Sequence, residues 1–196
     1  MLANATVADV LRPSEKRYAF VYDVALIIGG SLVIGVSAQI AVGYPVPITA
    51  QTFAVLMIAA LLGARRGTAC LVTYLGEGAI GLPVFAQGKS GVVAFGGPTG
   101  GYLVGFVVAA FVVGLLAEKG WDRKFQTTVL AMIIGNIIIY AFGQIWLWNL
   151  IGVRTALSLY LLPFIPGDLL KIALAAALLP SAWKLIRRSA PAAPKI

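Results

Sequence analysis

Residues 163–183 read Pro163-Phe164-Ile165-Pro166-Gly167-Asp168-Leu169-Leu170-Lys171-Ile172-Ala173-Leu174-Ala175-Ala176-Ala177-Leu178-Leu179-Pro180-Ser181-Ala182-Trp183. A carboxylate and an ammonium stand three residues apart at the head of this stretch, and no formal charge follows until Lys184. An acid and a base at that spacing share one helix face. The apolar remainder is long enough to cross a bilayer core, which takes about 20 residues. A charge in such a helix costs roughly 2.5–3.5 kcal/mol on insertion scales, so it faces a partner or a polar cavity. Two readings fit the pair: mutual neutralisation within a structural element, or a small-molecule site. Pro166-Gly167 favours the second, because a helix opened there brings backbone N–H groups beside the charges.

The rest of the chain agrees with a membrane setting. Hydrophobic residues make up 60% of the 196, more than a soluble domain of this length can bury. Apolar runs predict an all-α integral membrane protein with about six transmembrane helices, near 19–42, 48–64, 66–82, 101–117, 126–150 and 162–184. The second and third are short, separated only by Gly63-Ala64-Arg65-Arg66-Gly67. In this arrangement Arg12, Lys16, Arg17, Arg65, Arg66, Lys119, Arg123, Lys124, Lys184, Arg187, Arg188 and Lys195 fall on one side. Only Lys89 and Arg154 occupy loops on the other, so the positive-inside rule places both termini in the cytoplasm of a plasma-membrane protein. The net charge of +8 is thereby a topological signal, and no basic face interleaved with aromatics points to nucleic acid.

Three regions are expected: a cytoplasmic lead-in over 1–18, a six-helix substrate-binding domain over 19–186, and a disordered tail over 187–196. Asp9 and Glu15 interrupt the N-terminal stretch, which lacks the pattern of a cleaved signal peptide. Cys70, the single cysteine, reads as a small buried hydrophobe in an apolar span.

Several chemistries are disfavoured. Histidine is absent, the carboxylates are scattered, and no metal, cofactor or acid–base cluster suggests itself. Gly88-Lys89-Ser90 resembles the end of a phosphate-binding loop, but position 83 is Pro where that motif needs Gly, and no strand precedes it. An enzyme is therefore not expected.

Four further segments can contribute to a site. The loop 83–101 carries Gly88, Gly91, Gly96, Gly97, Gly100 and Gly101 together with Val92, Val93 and Phe95, and reads as a folded lid more than a solvated linker. Its end, Gly96 to Tyr102, is expected to present N–H groups at a helix start. In Tyr44-Pro45-Val46-Pro47-Ile48-Thr49-Ala50-Gln51, two prolines fix an extended approach. Thr49 and Gln51 then fall in the next helix's first turn, as caps or ligand contacts. Asn136, Tyr140, Gln144 and Trp148 form a stripe at four-residue spacing, suited to a cavity or to interhelical hydrogen bonds, with Trp146 and Trp148 also suited to the membrane interface. Ala25, Gly29 and Val33 make a small-residue face on the first span, for internal packing or for docking a second membrane protein.

Taken together, five segments resemble the BioY family, the biotin-specific S components of energy-coupling factor (ECF) vitamin transporters. They are Pro45-Val46-Pro47-Ile48-Thr49-Ala50-Gln51, Gly81-Leu82-Pro83-Val84-Phe85-Ala86, Gly97-Pro98-Thr99-Gly100-Gly101-Tyr102-Leu103, Gly135-Asn136 with Tyr140 and Trp146, and Pro163 to Asp168 with Lys171. The resemblance implies an S-component fold, biotin capture from outside, and docking to a transmembrane T component driven by two ATPase subunits. Two positions depart from a pattern seen in some members: Leu103 stands where they carry an arginine, and Lys89 where they carry an asparagine. Glu77 has no family role. On this reading the substrate-binding residues are Asp168, Lys171, Asn136, Tyr140, Lys89, Gln51, Gly97 and Tyr102, and the partner-docking residues Ala25 and Gly29. Asp168 is expected to accept from a ureido N–H, Asn136 or Tyr140 to complete the ring contacts, and Lys171 or Lys89 to meet the carboxylate. An S component for another vitamin, or a membrane enzyme or channel, is the alternative.

Overall fold

The computed structural model describes residues 4–43 and 46–189, with side chains as far as 186. Tyr44, Pro45 and residues 190–196 lie outside the described residues, and of the tail expected to be disordered over 187–196, residues 187–189 continue the last helix. The elements are α1 (Val7–Val10), α2 (Lys16–Gln39), β1 (Ala41–Val42), β2 (Ile48–Thr49), α3 (Gln51–Ala79), α4 (Val93–Gly96), α5 (Gly100–Glu118), α6 (Phe125–Ile151), α7 (Val153–Tyr160) and α8 (Ile165–Ser189). Among the described residues five helical stretches are long and apolar enough to cross a membrane, the last combining α7 with most of α8.

One of the five, α3, is two helices in antiparallel contact. Gly63 takes φ 82° and ψ 177°, a conformation only glycine adopts without strain. A Cβ on Gly67 would lie 3.0 Å from the Cα of Ala59. The Gln51 side-chain amide donates to the Tyr74 hydroxyl at 2.7 Å, although a straight helix would separate residues 23 apart by about 35 Å. Counting the two arms of α3 separately gives six long helical segments among the described residues, close to the count that the apolar runs predict. Their boundaries shift: the expected five-residue connector shrinks to Gly63, and Arg65 and Arg66 fall in the first turn of the second arm, 64–79. The reason is local, since one left-handed glycine reverses the chain and Glu118 Oε1 accepts from Ala64 N at 2.9 Å, satisfying that new helix start.

α5 occupies the middle of the bundle, between α3 and α6, with Ala109, Ala110 and Val113 fully buried. Lipid-facing and inward faces separate cleanly along α8. Leu169, Leu170, Leu174 and Leu178 are exposed, while Asp168, Ala175, Leu179 and Trp183 are buried at helical spacing. Exposed leucines on such a helix are what a hydrocarbon solvent requires.

Ion pairs tie down the end that bears the N-terminus. Thr6 and Asp9 form a capping box at α1. Arg66 pairs with Asp9 and with Asp23, each at 2.7 Å, and Arg12 also reaches Asp23 at 2.7 Å. Asp122, buried between α5 and α6, accepts from the Trp183 indole N–H, and Arg123 stacks 4.4 Å above that ring. The opposite end holds the short β1–β2 pair (Ala41 opposite Thr49, Val42 opposite Ile48), the loop 80–99 and α7.

Candidate functional site

At that opposite end the helix termini surround a partly open pocket of about 50 Å³. Its walls are largely aromatic: Phe85, Tyr102, Phe106, Tyr140 and Phe164. Tyr140 meets Tyr102 and Phe164 edge to face, with ring centroids 6.3 and 6.5 Å apart. Polar groups converge from separate elements: Thr49 and Gln51 around the start of α3, Thr52 one residue on, Lys89 and Thr99 from the long loop, and Lys171 from α8. A pocket that is mostly apolar with a few placed polar groups is the usual form of a small-molecule site.

The charge pair that opened the sequence reading is the polar centre of this arrangement. Asp168 is 5% exposed and lies in the first turn of α8. Lys171 Nζ sits 3.1 Å from its Oδ1, and the Tyr140 hydroxyl donates to its Oδ2. Lys171 also donates to Thr52 Oγ1 at 2.9 Å. One carboxylate thus organises two pocket-lining groups, which a self-neutralising structural pair would not require.

Each sequence-predicted residue now has a place. Tyr140, Lys171, Lys89, Gln51 and Tyr102 line the pocket, and Asp168 is bonded to two of its wall residues. The Gln51 amide is held by Tyr74, while Thr49 Oγ1 accepts from Gln51 N at 3.2 Å, so Thr49 both caps and lines. Thr49 lies in β2 and not within the helix turn. Tyr102 is clamped by Gln144, whose amide donates to its hydroxyl at 3.1 Å and to the Tyr160 carbonyl at 3.0 Å. Close packing at Gly143 permits this, because a Cβ there would come 2.4 Å from the Tyr102 ring.

Two residues are placed elsewhere. Asn136 faces a smaller cavity on the other side of Lys171 and Thr52. The Gly97 carbonyl accepts from the Trp146 indole at 2.9 Å, fastening the loop to α6 outside the pocket lining. The N–H groups of Gly97 and Gly100 are consumed in turns, by Ala94 O and Gly97 O at 3.3 and 3.0 Å. Those two N–H groups are therefore not available at the start of α5. The loop as a whole is folded as expected: Phe85 is buried, and Gly91 N donates to Gly78 O at 2.7 Å. Thr52 and Phe164 were missed. Thr52 sits beside Gln51 in the first helical turn and Phe164 two residues before the Pro-Gly, and neither carries a pattern that sets it apart.

Ala25 and Gly29 line a shallow groove with Leu26, Gly30, Val33 and Ile58. A Cβ on Gly29 would meet nothing within 4 Å, whereas one on Gly30 would fall 2.7 Å from Cys70 Sγ. Gly30 supplies the packing of α2 on α3, and Gly29 is open. Glu77 accepts from Ser31 Oγ at 2.8 Å, an α3–α2 contact away from the pocket.

Comparison with known proteins adds four findings. The model of the BioY family matches residues 8–188. The biotin transporter BioY of Thermotoga maritima is 44% identical over 146 residues, covering 74% of this chain and 85% of that protein. The biotin transporter BioY of Rhizobium etli is 41% identical over 154 residues, covering 74% and 82%. A crystal structure of the S-component for biotin from an ECF-type ABC transporter superposes with a TM-score of 0.75 at 29% identity, over 87% of this chain and 95% of the other. With a family match running from the first helical turn almost to the end of α8, and relatives alike over most of their own length, this chain belongs to the BioY family.

Proposed function

We propose that this chain is the biotin-binding membrane component of a biotin uptake transporter. It captures biotin at the outer face and delivers it together with a T component and two ATPase subunits. The observation that carries the reading is the Asp168–Lys171–Tyr140 cluster at the edge of an aromatic pocket, in a chain whose relatives are named biotin transporters. The family and the relatives' names speak for a transporter component and against an enzyme.

Biotin offers a ureido ring with two N–H donors and one carbonyl, an apolar thioether ring, and an aliphatic tail ending in a carboxylate. Asp168 is the acceptor for a ureido N–H, and Tyr140, whose hydroxyl hydrogen is already given to Asp168, completes the ring contacts with its oxygen as an acceptor. The aromatic walls bury the thioether ring and tail. Lys89, which lines the pocket from the long loop, is assigned to the carboxylate, and Lys171 to holding Asp168 and Thr52. The cation distribution supports an orientation in which the end rich in Arg12, Arg65, Arg66, Lys119 and Lys124 faces the cytoplasm, with both termini there and the pocket outside. The open groove at Ala25 and Gly29 is suited to the T component's helices. The energy for uptake against a gradient comes from the ATPase subunits.

Equilibrium binding of labelled biotin to the purified full chain tests this reading. Saturable binding competed by biotin and not by unrelated vitamins is expected. Absent or millimolar biotin binding, or preferential binding of another vitamin, overturns it.

A further inference from the structure

Asn136 lies one helical turn from Tyr140 on α6, yet it faces away from the aromatic pocket. It is 8% exposed. Its Nδ2 donates back to Met132 O at 3.0 Å, and its Oδ1 is buried with no hydrogen-bond partner among the described groups. Buried acceptors in folded proteins nearly always have a donor, from protein or from ordered water. Asn136 lines a cavity of about 10 Å³ whose other polar lining residues are Thr52 and Lys171; the remainder is apolar, including Leu56 and Met132. That is the room one water molecule needs, and two to four polar partners are what hold one.

Counting donors on Lys171 points the same way. An ammonium has three N–H groups. Asp168 Oδ1 and Thr52 Oγ1 take two of them, at 3.1 and 2.9 Å. A water that accepts the third and donates to Asn136 Oδ1 satisfies both groups at once, and the Thr52 hydroxyl, whose oxygen already accepts from Lys171, keeps its own hydrogen for the same molecule.

We propose that a single buried water bridges Lys171 Nζ to Asn136 Oδ1, so that Asn136 is a positioning residue for the Asp168–Lys171 pair. Lys171 and Thr52 border both the pocket and the small cavity. A tether on the cavity side therefore limits how far the flexible lysine leans toward the ligand, and fixes the ammonium beside Asp168. Its consequence for affinity rests on the proposed biotin reading; the water site itself does not.

Two measurements test the inference on the full chain. In a ligand-free structure at a resolution that shows interior waters, one water is expected within hydrogen-bond distance of both Asn136 Oδ1 and Lys171 Nζ. A map with ordered waters elsewhere inside the bundle and none here overturns the proposal, as does a ligand-bound map with a biotin atom in that space. The second measurement is a double-mutant cycle on biotin affinity. Asn136→Leu, which removes the acceptor and fills the cavity, is expected to weaken binding about tenfold in the parent and less than about twofold in a Lys171→Met background. Asn136→Asp, which retains an acceptor of the same shape, is expected to stay within about threefold of the parent. Losses that add across the cycle overturn the proposal, because they assign Asn136 to helix packing alone. Where Asn136→Leu does not fold, Asn136→Ala takes its place in the same cycle. Failure of the parent to bind biotin removes the functional reading and leaves the water site to be decided by the structure.

Discussion

Asp168 and Asp23 are both carboxylates held by two neighbours, at opposite ends of one molecule, and they do different work. Asp23 is half-buried: Arg12 and Arg66 both reach it, and Arg66 is shared with Asp9. Its side chain retains 22% exposure, so water competes with every bond in that network. Asp168 is closed off at 7% side-chain exposure, with Lys171 its sole ion-pair partner among the described residues and Tyr140 on its other oxygen. A redundant, wet network fastens chain segments together. A single dry carboxylate that orients two wall residues shapes a binding surface, and each of its bonds is strengthened by exclusion of water.

The largest effect on biotin affinity should follow Asp168→Asn. The substitution preserves size but puts a donor where an acceptor is needed. Loss of a charge-assisted hydrogen bond of about 1.5–3 kcal/mol corresponds to roughly ten- to a hundred-fold weaker binding. Unchanged affinity in the purified variant would reduce Asp168 to a structural partner of Lys171. Lys89→Met should come next, with about three- to tenfold loss toward biotin and little further loss toward biotin methyl ester, which has no carboxylate to pair. Equal parent affinity for acid and ester would remove the charge partner from the reading.

At the other end, Asp23→Asn should leave affinity within about twofold and lower only thermal stability, because pairs that water still reaches contribute little, on the order of 1 kcal/mol. That end also carries two carboxylates with opposite titration. Burial raises Asp9, but the Arg66 guanidinium and the Thr6 N–H and hydroxyl outweigh it and hold the carboxyl below its ordinary 3.8. Its stabilisation is therefore present above pH 3.8 and lost as pH falls through the lower folded value. Burial raises Asp122 despite the bond from Trp183, so its contribution is greatest below 3.8 and declines as pH rises through the window above it. Melting curves of the detergent-solubilised chain across acidic pH should show Asp9→Asn flattening the low limb and Asp122→Asn flattening the upper one. A shared direction for both variants would contradict the assigned environments.

The smallest effect on affinity should come from Gly29→Trp, placed on an open groove remote from the pocket. It should leave biotin binding unchanged while impairing association with a T component and uptake. Parallel loss of binding and uptake would make that face an internal packing element after all. Gly30→Val is the contrasting control, since it drives a side chain into Cys70 and should destabilise the fold.

Legibility differed from one element to the next. The ion pair at 168 and 171 was readable because helical spacing alone puts both groups on one face, and because charge beside an apolar run demands a partner. Tyr140 and Gln144 were readable as one stripe. Their division of labour was not: Tyr140 meets Asp168, while Gln144 clamps Tyr102 and the Tyr160 carbonyl. Asn136, on the same stripe, was read as a possible ring contact and sits across Lys171 from the pocket, because a helix stripe drifts and its neighbours decide what each member meets. Gly29 and Gly30 are indistinguishable in sequence, and only the position of Cys70 separates a packed glycine from an open one.

The sequence by itself determined the membrane setting, the approximate number of helices and the chemistry available to a site. These follow from segment length, hydropathy and the placement of cations, all of which act locally or through the bilayer. Tertiary structure alone decided that the reversal between the arms of α3 narrows to Gly63, that Thr52 and Phe164 join a pocket with Lys171, and that Phe85 on the long loop is buried among its walls. Those outcomes depend on which faces of separate helices meet, and that is set by the summed packing of side chains far apart in the chain.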